Sequence, residues 1–347
     1  MTTNSPQLYM RRALELAVKG RGKVSPNPMV GCVIVKNESI IGEGWHKQYG
    51  QAHAEVNAIN EVSDKSLLTG ADLYVTLEPC AHHGKTPPCA NLVAQYAFRK
   101  VYICNVDPNP LVAGKGLEII QKAGIQTETG ILEEDGKRLN ARFFTFMQQN
   151  RPYIILKWAE TGDGFIARND YSSKWISGNL SRQLVHKWRA EEDAIMVGTN
   201  TARYDNPALN VRDWTGTNPT RIVLDKKLSL SADLKLFDQT QPTICYNLLK
   251  SEVQSQTNFV KLDQYAELLP QILSDLYNRK IQSVLVEGGS SLLKSFIENN
   301  YWDEVRRFRA NDVFFKEGIA APVFKHSADY SENVQNDQLE IFFNKNS

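Results

Sequence analysis

Hydrophobic positions along this chain fall into two alternating periods, one helical and one strand-like. Leu8, Met10, Ala13, Leu14, Leu16 and Ala17 recur at helical spacing beside Arg11 and Arg12, which predicts an amphipathic opening helix. Residues 30–35 and 40–45 are short apolar runs around a polar turn, the pattern of a β-hairpin. A helix opening at His53, a buried strand over 72–78, a helix near Cys89, a strand over 100–106 and a helix over 116–123 follow. Turn clusters at 25–28 and 107–110 punctuate the series, which reads as a three-layer α/β arrangement.

The alternation restarts at residue 151. Strands are expected at 151–157, 194–197 and 221–225, with a helix at 180–190. Residues 283–294 read as strand, glycine turn and helix. Gly288-Gly289 there either brings backbone N–H groups to a phosphate or simply shapes a tight turn. Residues 132–150 are polar but carry Leu139, Phe143, Phe144 and Phe146, so the expected linker is a packed helix. The predicted organisation is a first domain at 1–131, a linker helix at 132–150 and a second α/β domain at 151–347.

Charge narrows the function classes. Forty basic residues against 39 acidic ones leave a net charge of +1, without the long basic tract of a dedicated nucleic-acid binder. No apolar run approaches a membrane span, and residues 1–20 lack the core of a secretory signal. Five cysteines point to a reducing, cytoplasmic setting rather than a disulfide framework. Cys32, Cys104 and Cys245 sit in strand-like runs and read as small core residues.

The remaining two cysteines carry the chemistry. His53-Ala54-Glu55, Pro79-Cys80 and Cys89 together supply an imidazole, two thiolates and a carboxylate outside the ligand set. Such a set holds one Zn²⁺ per chain with an open fourth position, and Glu55 shuttles protons; this is the H-x-E and P-C pattern of zinc deaminases. Eight residues separate the cysteines where the short motif has two. His82 or His83 in that insert could instead close the site as a fourth ligand, which would leave Glu55 without a task. Otherwise His82, His83 and Lys85 suit contacts at the pocket rim.

Motifs spread along nearly the whole chain resemble the bifunctional deaminase–reductase family of riboflavin biosynthesis. In the first half they are Pro26-Asn27-Pro28-Met29-Val30-Gly31, Gly42-Glu43-Gly44-Trp45-His46, His53-Ala54-Glu55, residues 75–89, Asp107-Pro108-Asn109-Pro110 and Val112-Ala113-Gly114-Lys115-Gly116. In the second they are residues 157–164, Trp175-Ile176, residues 205–212 and Val286-Glu287-Gly288-Gly289. The eight-residue cysteine insert is itself a feature of that family. The resemblance implies a cytidine-deaminase-like N-terminal domain and a dihydrofolate-reductase-like C-terminal domain. The first would deaminate 2,5-diamino-6-ribosylamino-4(3H)-pyrimidinone 5′-phosphate. The second would use NADPH to reduce the ribosyl group to ribityl, giving 5-amino-6-ribitylaminouracil 5′-phosphate.

By the same resemblance, Ser173, Arg189, Leu209, Arg212 and Glu287 fall at substrate contacts. Ala159, Trp175, Thr201, Asp205, Gly288 and Gly289 fall at NADPH contacts. Lys157 would donate a proton or orient the substrate. Read without the family, Arg189 is a solvated helix residue beside Glu191 and Glu192, and Trp175 is core packing. Partners expected are small molecules and a second copy of the chain, not nucleic acid or membrane. Residues 306–318 are more charged than the strand the family pattern leads one to expect. Two other classes compete: a nucleic-acid-editing deaminase, which salt-dependent RNA binding would reveal, and a binding protein on a degenerate enzyme scaffold, against which His53, Glu55, Cys80 and Cys89 argue.

Overall fold

The computed structural model describes residues 5–81, 88–109, 112–172 and 175–345. They form two compact units, Met1–Asn150 and Arg151–Ser347. In the first, α1 (Pro6–Val18) precedes the hairpin of β1 (Gly31–Lys36) and β2 (Ser39–Trp45). Next come α2 (Ala54–Glu61), β3 (Asp72–Leu77), α3 (Cys89–Ala94), β4 (Lys100–Asn105), α4 (Lys115–Lys122) and β5 (Gln126–Thr129). The sheet order is β2-β1-β3-β4-β5, with β1 antiparallel to both neighbours and β3, β4 and β5 parallel.

The two-residue period of the strands explains the layers. Cys32, Ile34, Leu73, Val75, Val101 and Ile103 share one core with Ala54, Ala58 and Ile59 of α2, Ala90 and Val93 of α3, and Ile120 of α4. The alternate residues Val33, Val35, Tyr74, Tyr102 and Cys104 pack with Tyr9, Met10, Ala13 and Leu16 of α1. The cysteines read as core residues, Cys32, Cys104 and Cys245, are all fully buried.

Residues 132–150, read above as a linker helix, hold two helices, α5 (Glu133–Leu139) and α6 (Ala141–Gln149), which group with the first unit. Asn140 between them accepts from the Met29 N–H at 2.8 Å and donates to the Met29 carbonyl at 2.9 Å. Those buried bonds tie the segment to the residues that lead into β1.

The second unit opens with β6 (Tyr153–Glu160) and β7 (Phe165–Ala167), then α7 (Asn179–Glu191), β8 (Ala194–Gly198), α8 (Thr199–Asp205) and β9 (Thr220–Leu224). It continues through β10 (Thr243–Asn247), β11 (Glu252–Gln254), β12 (Thr257–Lys261), α9 (Leu268–Asn278), β13 (Ser283–Val286) and α10 (Ser290–Glu298). β14 (Glu304–Ala310), β15 (Ile319–Ala320), β16 (Tyr330–Val334) and β17 (Asp337–Phe343) complete it. Ten strands make one sheet in the order β11-β12-β10-β9-β8-β13-β6-β14-β17-β16. From β12 to β14 all neighbours are parallel, so β6, β8 and β13 are buried on both faces and deliver their C-terminal ends to one edge.

Of the charged stretch at 306–318, residues 306–310 lie inside this sheet, as part of β14. β14 places Arg307 opposite Glu340 of β17 and Arg309 opposite Glu160 of β6, and each pair is bonded, at 2.8 and 2.9 Å. Cross-strand complementarity accounts for its composition. At the domain entry, Arg151 makes two bonds to Asp303, at 2.6 and 2.8 Å, and Asp303 also accepts from the Ile154 N–H.

Close backbone approach fixes the seat of α2. A Cβ on Gly44 would stand 2.3 Å from Ala58 N and 2.4 Å from Ala54 O of that helix. Gly44→Ala must therefore push α2 off β2. The expected outcome is a loss of about 1–3 kcal/mol in denaturant unfolding, together with weaker zinc retention, since His53 precedes α2. Wild-type stability and zinc content in this variant would contradict the packing argument.

Candidate active sites

The first site forms where α2, the end of β3 and α3 meet. His53 occupies the N-cap of α2, Glu55 lies in that helix's first turn, and Cys89 is the first residue of α3. The ligand atoms of His53, Cys80 and Cys89 all lie within 4.8 Å of one another. His53 Nδ1 is 3.6 Å from Cys80 Sγ and 3.3 Å from Cys89 Sγ. The Cys89 N–H donates to Cys80 Sγ at 3.3 Å, as an N–H at a helix start is disposed to do. Two sulfurs and one imidazole at this separation match the donor chemistry of zinc.

Electrostatics agree with that donor set. The hydrogen bond from the Cys89 thiol, aided by His53, draws Cys80 down to about 4, and Cys89 is raised because it shares its proton with that sulfur. Lowering of Cys80 favours its thiolate, the form that binds metals. Glu55 is 3% exposed, and burial, reinforced by the negative Cys80 sulfur, pushes its carboxyl up to about 7.

Two further residues brace this site, and neither stood out in the sequence beyond its motif. His46 contacts Ala52 O through Nδ1 at 3.1 Å and Asn27 Nδ2 through Nε2 at 3.2 Å, so Nδ1 carries the proton and the ring is neutral. Its ring meets His53 edge-on at 5.2 Å. Glu78, two residues before Cys80, accepts from the N–H groups of Asp107, Gly114, Gly116 and Leu117 at 2.9–3.3 Å. Its carboxylate thereby caps α4 and ties Asp107 and Gly114 to the end of β3. His82, His83 and Lys85 lie outside the described residues.

The second site is a cleft of about 1360 Å³ in the second unit. It opens at the C-terminal ends of β8, β9 and β13, where parallel α/β sheets place their ligands. Lys157, Ala159, Trp175, Arg189, Thr201, Asp205, Leu209, Arg212, Glu287, Gly288 and Gly289 all line it; Ser173 lies outside the described residues. Sequence positions 157 to 289 thus converge on one wall.

Arg189 is a buried member of α7, not the solvated residue its acidic neighbours suggest. It makes paired bonds to Glu287 at 2.7 and 2.8 Å and donates to Asn210 O at 3.2 Å. Despite burial, the Arg189 charge holds Glu287 down to about 2. Lys157 is lowered, chiefly by burial, with Glu287 opposing. Trp175 is 63% exposed with Arg182 over its ring at 4.5 Å, so it belongs to the cleft rim and not to the core. Leu209, at 1% exposure, contributes a buried apolar wall. Gly288 has φ +93°, and a Cβ on Gly289 would stand 3.1 Å from Thr201 Oγ1, so the turn needs glycine at the first position and little bulk at the second.

Comparison with known proteins assigns a family to each unit. Residues 3–105 match the cytidine and deoxycytidylate deaminase zinc-binding region, and residues 152–310 match the RibD C-terminal domain. The chain is 42% identical to riboflavin biosynthesis protein RibD of Bacillus amyloliquefaciens over 88% of this chain and 84% of that one. It is 41% identical to RibD of Aquifex aeolicus over 88% and 86%. A crystal structure of a diaminohydroxyphosphoribosylaminopyrimidine deaminase/5-amino-6-(5-phosphoribosylamino)uracil reductase from Thermotoga maritima superposes with a TM-score of 0.89 at 38% identity, covering 96% and 97% of the two chains. Acinetobacter baumannii RibD gives 0.89 at 33% identity, covering 97% and 98%.

The Arg189–Glu287 pair yields a direct test. Glu287→Gln leaves a buried guanidinium without its countercharge and should cost about 3–5 kcal/mol in urea unfolding. Because the folded carboxyl is held below its unfolded value, its contribution is present above pH 4.5 and is lost as the pH falls toward 2. A variant as stable as the parent, with the same acid limb, would refute the pairing.

Proposed function

The chain belongs to the RibD family of riboflavin biosynthesis proteins, and we propose that the two sites above carry that family's two reactions in this enzyme. The enzyme is bifunctional, with a zinc-dependent deaminase and an NADPH-dependent reductase. The first removes an amino group from 2,5-diamino-6-ribosylamino-4(3H)-pyrimidinone 5′-phosphate. The second reduces the ribosyl side chain, yielding 5-amino-6-ribitylaminouracil 5′-phosphate. We assign deamination to residues 1–131 and reduction to 151–347, with 132–150 joining them.

His53, Cys80 and Cys89 would hold the zinc, since their donor atoms converge and the Cys80 thiol is lowered toward its metal-binding form. Zinc, when bound, supplies a Lewis acid that makes water easier to deprotonate near neutral pH. Glu55 takes and returns that proton. Its carboxyl lies near neutrality, so it can accept a proton at one stage and release it to the ring nitrogen or departing amine at another. His46 and Asn57 both engage the Ala52 carbonyl, which steadies the backbone next to His53.

In the reductase, NADPH supplies the hydride. Gly288 and Gly289 leave backbone room at the start of α10, next to Thr201, while Ala159, Trp175 and Asp205 line the same cleft. Arg189 and Arg212 provide cationic groups suited to a phosphorylated substrate, and Glu287 orients Arg189. Lys157, a buried amine with a lowered proton affinity, would give a proton to the opening sugar or orient the substrate. Ser173 completes the substrate contacts in this reading. We also assign the protein to a reducing, cytoplasmic setting, consistent with its five free cysteines, and to a dimer. Among the described residues no helix is long and apolar enough to cross a membrane.

The observation that carries the reading is the convergence of His53, Cys80 and Cys89 within 4.8 Å of one another, near a buried Glu55 and in a different unit from the Arg189–Glu287 cleft. Single variants should separate the two activities. Glu55→Gln should retain zinc and lose ammonia release by at least about 10²-fold, while still oxidising NADPH with the deaminated intermediate. Lys157→Met should release ammonia normally and oxidise NADPH slowly. Loss of both activities in either folded variant would contradict two independent sites.

A further inference from the structure

His186 lies on α7, one turn before Arg189, and is 2% exposed. It lines the reductase cleft, yet no step described above uses it. Its Nε2 is 3.2 Å from Asp213 Oδ2. A carboxylate only accepts hydrogen bonds, so Nε2 carries the proton. Nδ1 is buried with no hydrogen-bond partner among the described residues. A second proton there would add an unsatisfied N–H to a ring that already faces two cations. Burial, then Arg189 and Arg212, lower the ring's proton affinity, while Asp213 and Glu287 oppose them. The bond to Asp213 is therefore made by a neutral imidazole donating from Nε2 to the carboxylate.

That carboxylate also faces Arg212. Arg212 Nε lies 3.6 Å from the same Asp213 oxygen, and both side chains are about half exposed, at 52% and 49%. Such a surface pair has little strength alone, because two mobile side chains must be ordered together. Anchoring Asp213 to a buried ring removes part of that ordering cost. The rest of the loop is pinned from other directions: Arg189 holds Asn210 O at 3.2 Å and Asn218 holds the Val211 N–H at 2.8 Å. His186 supplies the last fixed point, at Asp213.

We propose that His186 is a positioning residue of the reductase, which through Asp213 fixes Arg212 at the cleft wall and so sets the affinity for the phosphorylated substrate. The proposal rests on the reading of Arg212 as a substrate contact. In this role His186 acts through its bond to Asp213, so its loss should act on binding and not on turnover.

The test uses the full-length enzyme, the deaminated ribosylaminouracil phosphate and NADPH. His186→Ala and Asp213→Ala should each raise the substrate KM on the order of tenfold, the loss of one hydrogen bond to a charged group. Their kcat should stay within about twofold and the NADPH Kd, read by fluorescence titration, should not move. The double variant should be no worse than either single one, because both break the same link. His186→Gln, whose amide nitrogen reaches the Nε2 position, should recover most of the affinity, and His186→Asn should not. Urea unfolding of each variant, followed through the second unit, reports folding, and the half-exposed Asp213 gives a second route if His186→Ala misfolds. Additive losses, equal behaviour of Gln and Asn, or a parallel shift in NADPH Kd would overturn the proposal. An Arg212→Ala enzyme with unchanged KM would overturn the substrate-contact reading and this inference with it; a raised KM in Arg212→Ala beside a normal one in His186→Ala would overturn the inference alone.

Discussion

A charged group removed from water must meet a partner, and most of this protein's buried charges obey that constraint closely. Asp303 receives two bonds from Arg151 and one from the Ile154 N–H. Glu78 is satisfied by four backbone N–H groups. Glu287 is matched by Arg189, and Arg307 and Arg309 by Glu340 and Glu160 across the strands. Glu55 and Lys157 are the informative departures. Burial moves the Glu55 carboxyl up to about 7 and lowers the Lys157 amine. The structural charges are fixed by partners, whereas burial dominates at these two groups.

The same division explains how one chain accommodates two chemistries. Each site sits at the C-terminal ends of parallel strands, where backbone groups emerge from the sheet and loops can be varied without disturbing the core. In the first unit the glycines of β2 let α2 approach closely enough to bring His53 and Glu55 to the end of β3. In the second, β6, β8 and β13 carry Lys157, Gly198 and Glu287 to one edge, and α7 lays Arg189 against it. RibD family membership and the matched deaminase and reductase regions agree with that two-site layout.

Local patterns made much of this legible in the sequence. The apolar runs of β1, β3 and β4 and the His53, Cys80 and Cys89 spacing could be read directly, because their signals span only a few residues. The reductase cleft could not, since its wall is assembled from positions 157 to 289 and only family resemblance brought them together. Arg189 shows why: beside Glu191 and Glu192 it reads as a surface residue, and its true partner, Glu287, is 98 positions away. The charge of β14 is explained by Glu160 and Glu340, which no local window includes. The bonds of Glu78 and of His186 reach residues far along the chain and leave no periodic trace.

The most direct measurement supplies the zinc-replete protein with the diaminopyrimidine ribosyl phosphate and follows ammonia release and NADPH absorbance in the same cuvette. The account predicts ammonia release with or without NADPH, and NADPH oxidation that begins only once deaminated product has formed. NADPH consumed ahead of ammonia, or no ammonia at all, would contradict it.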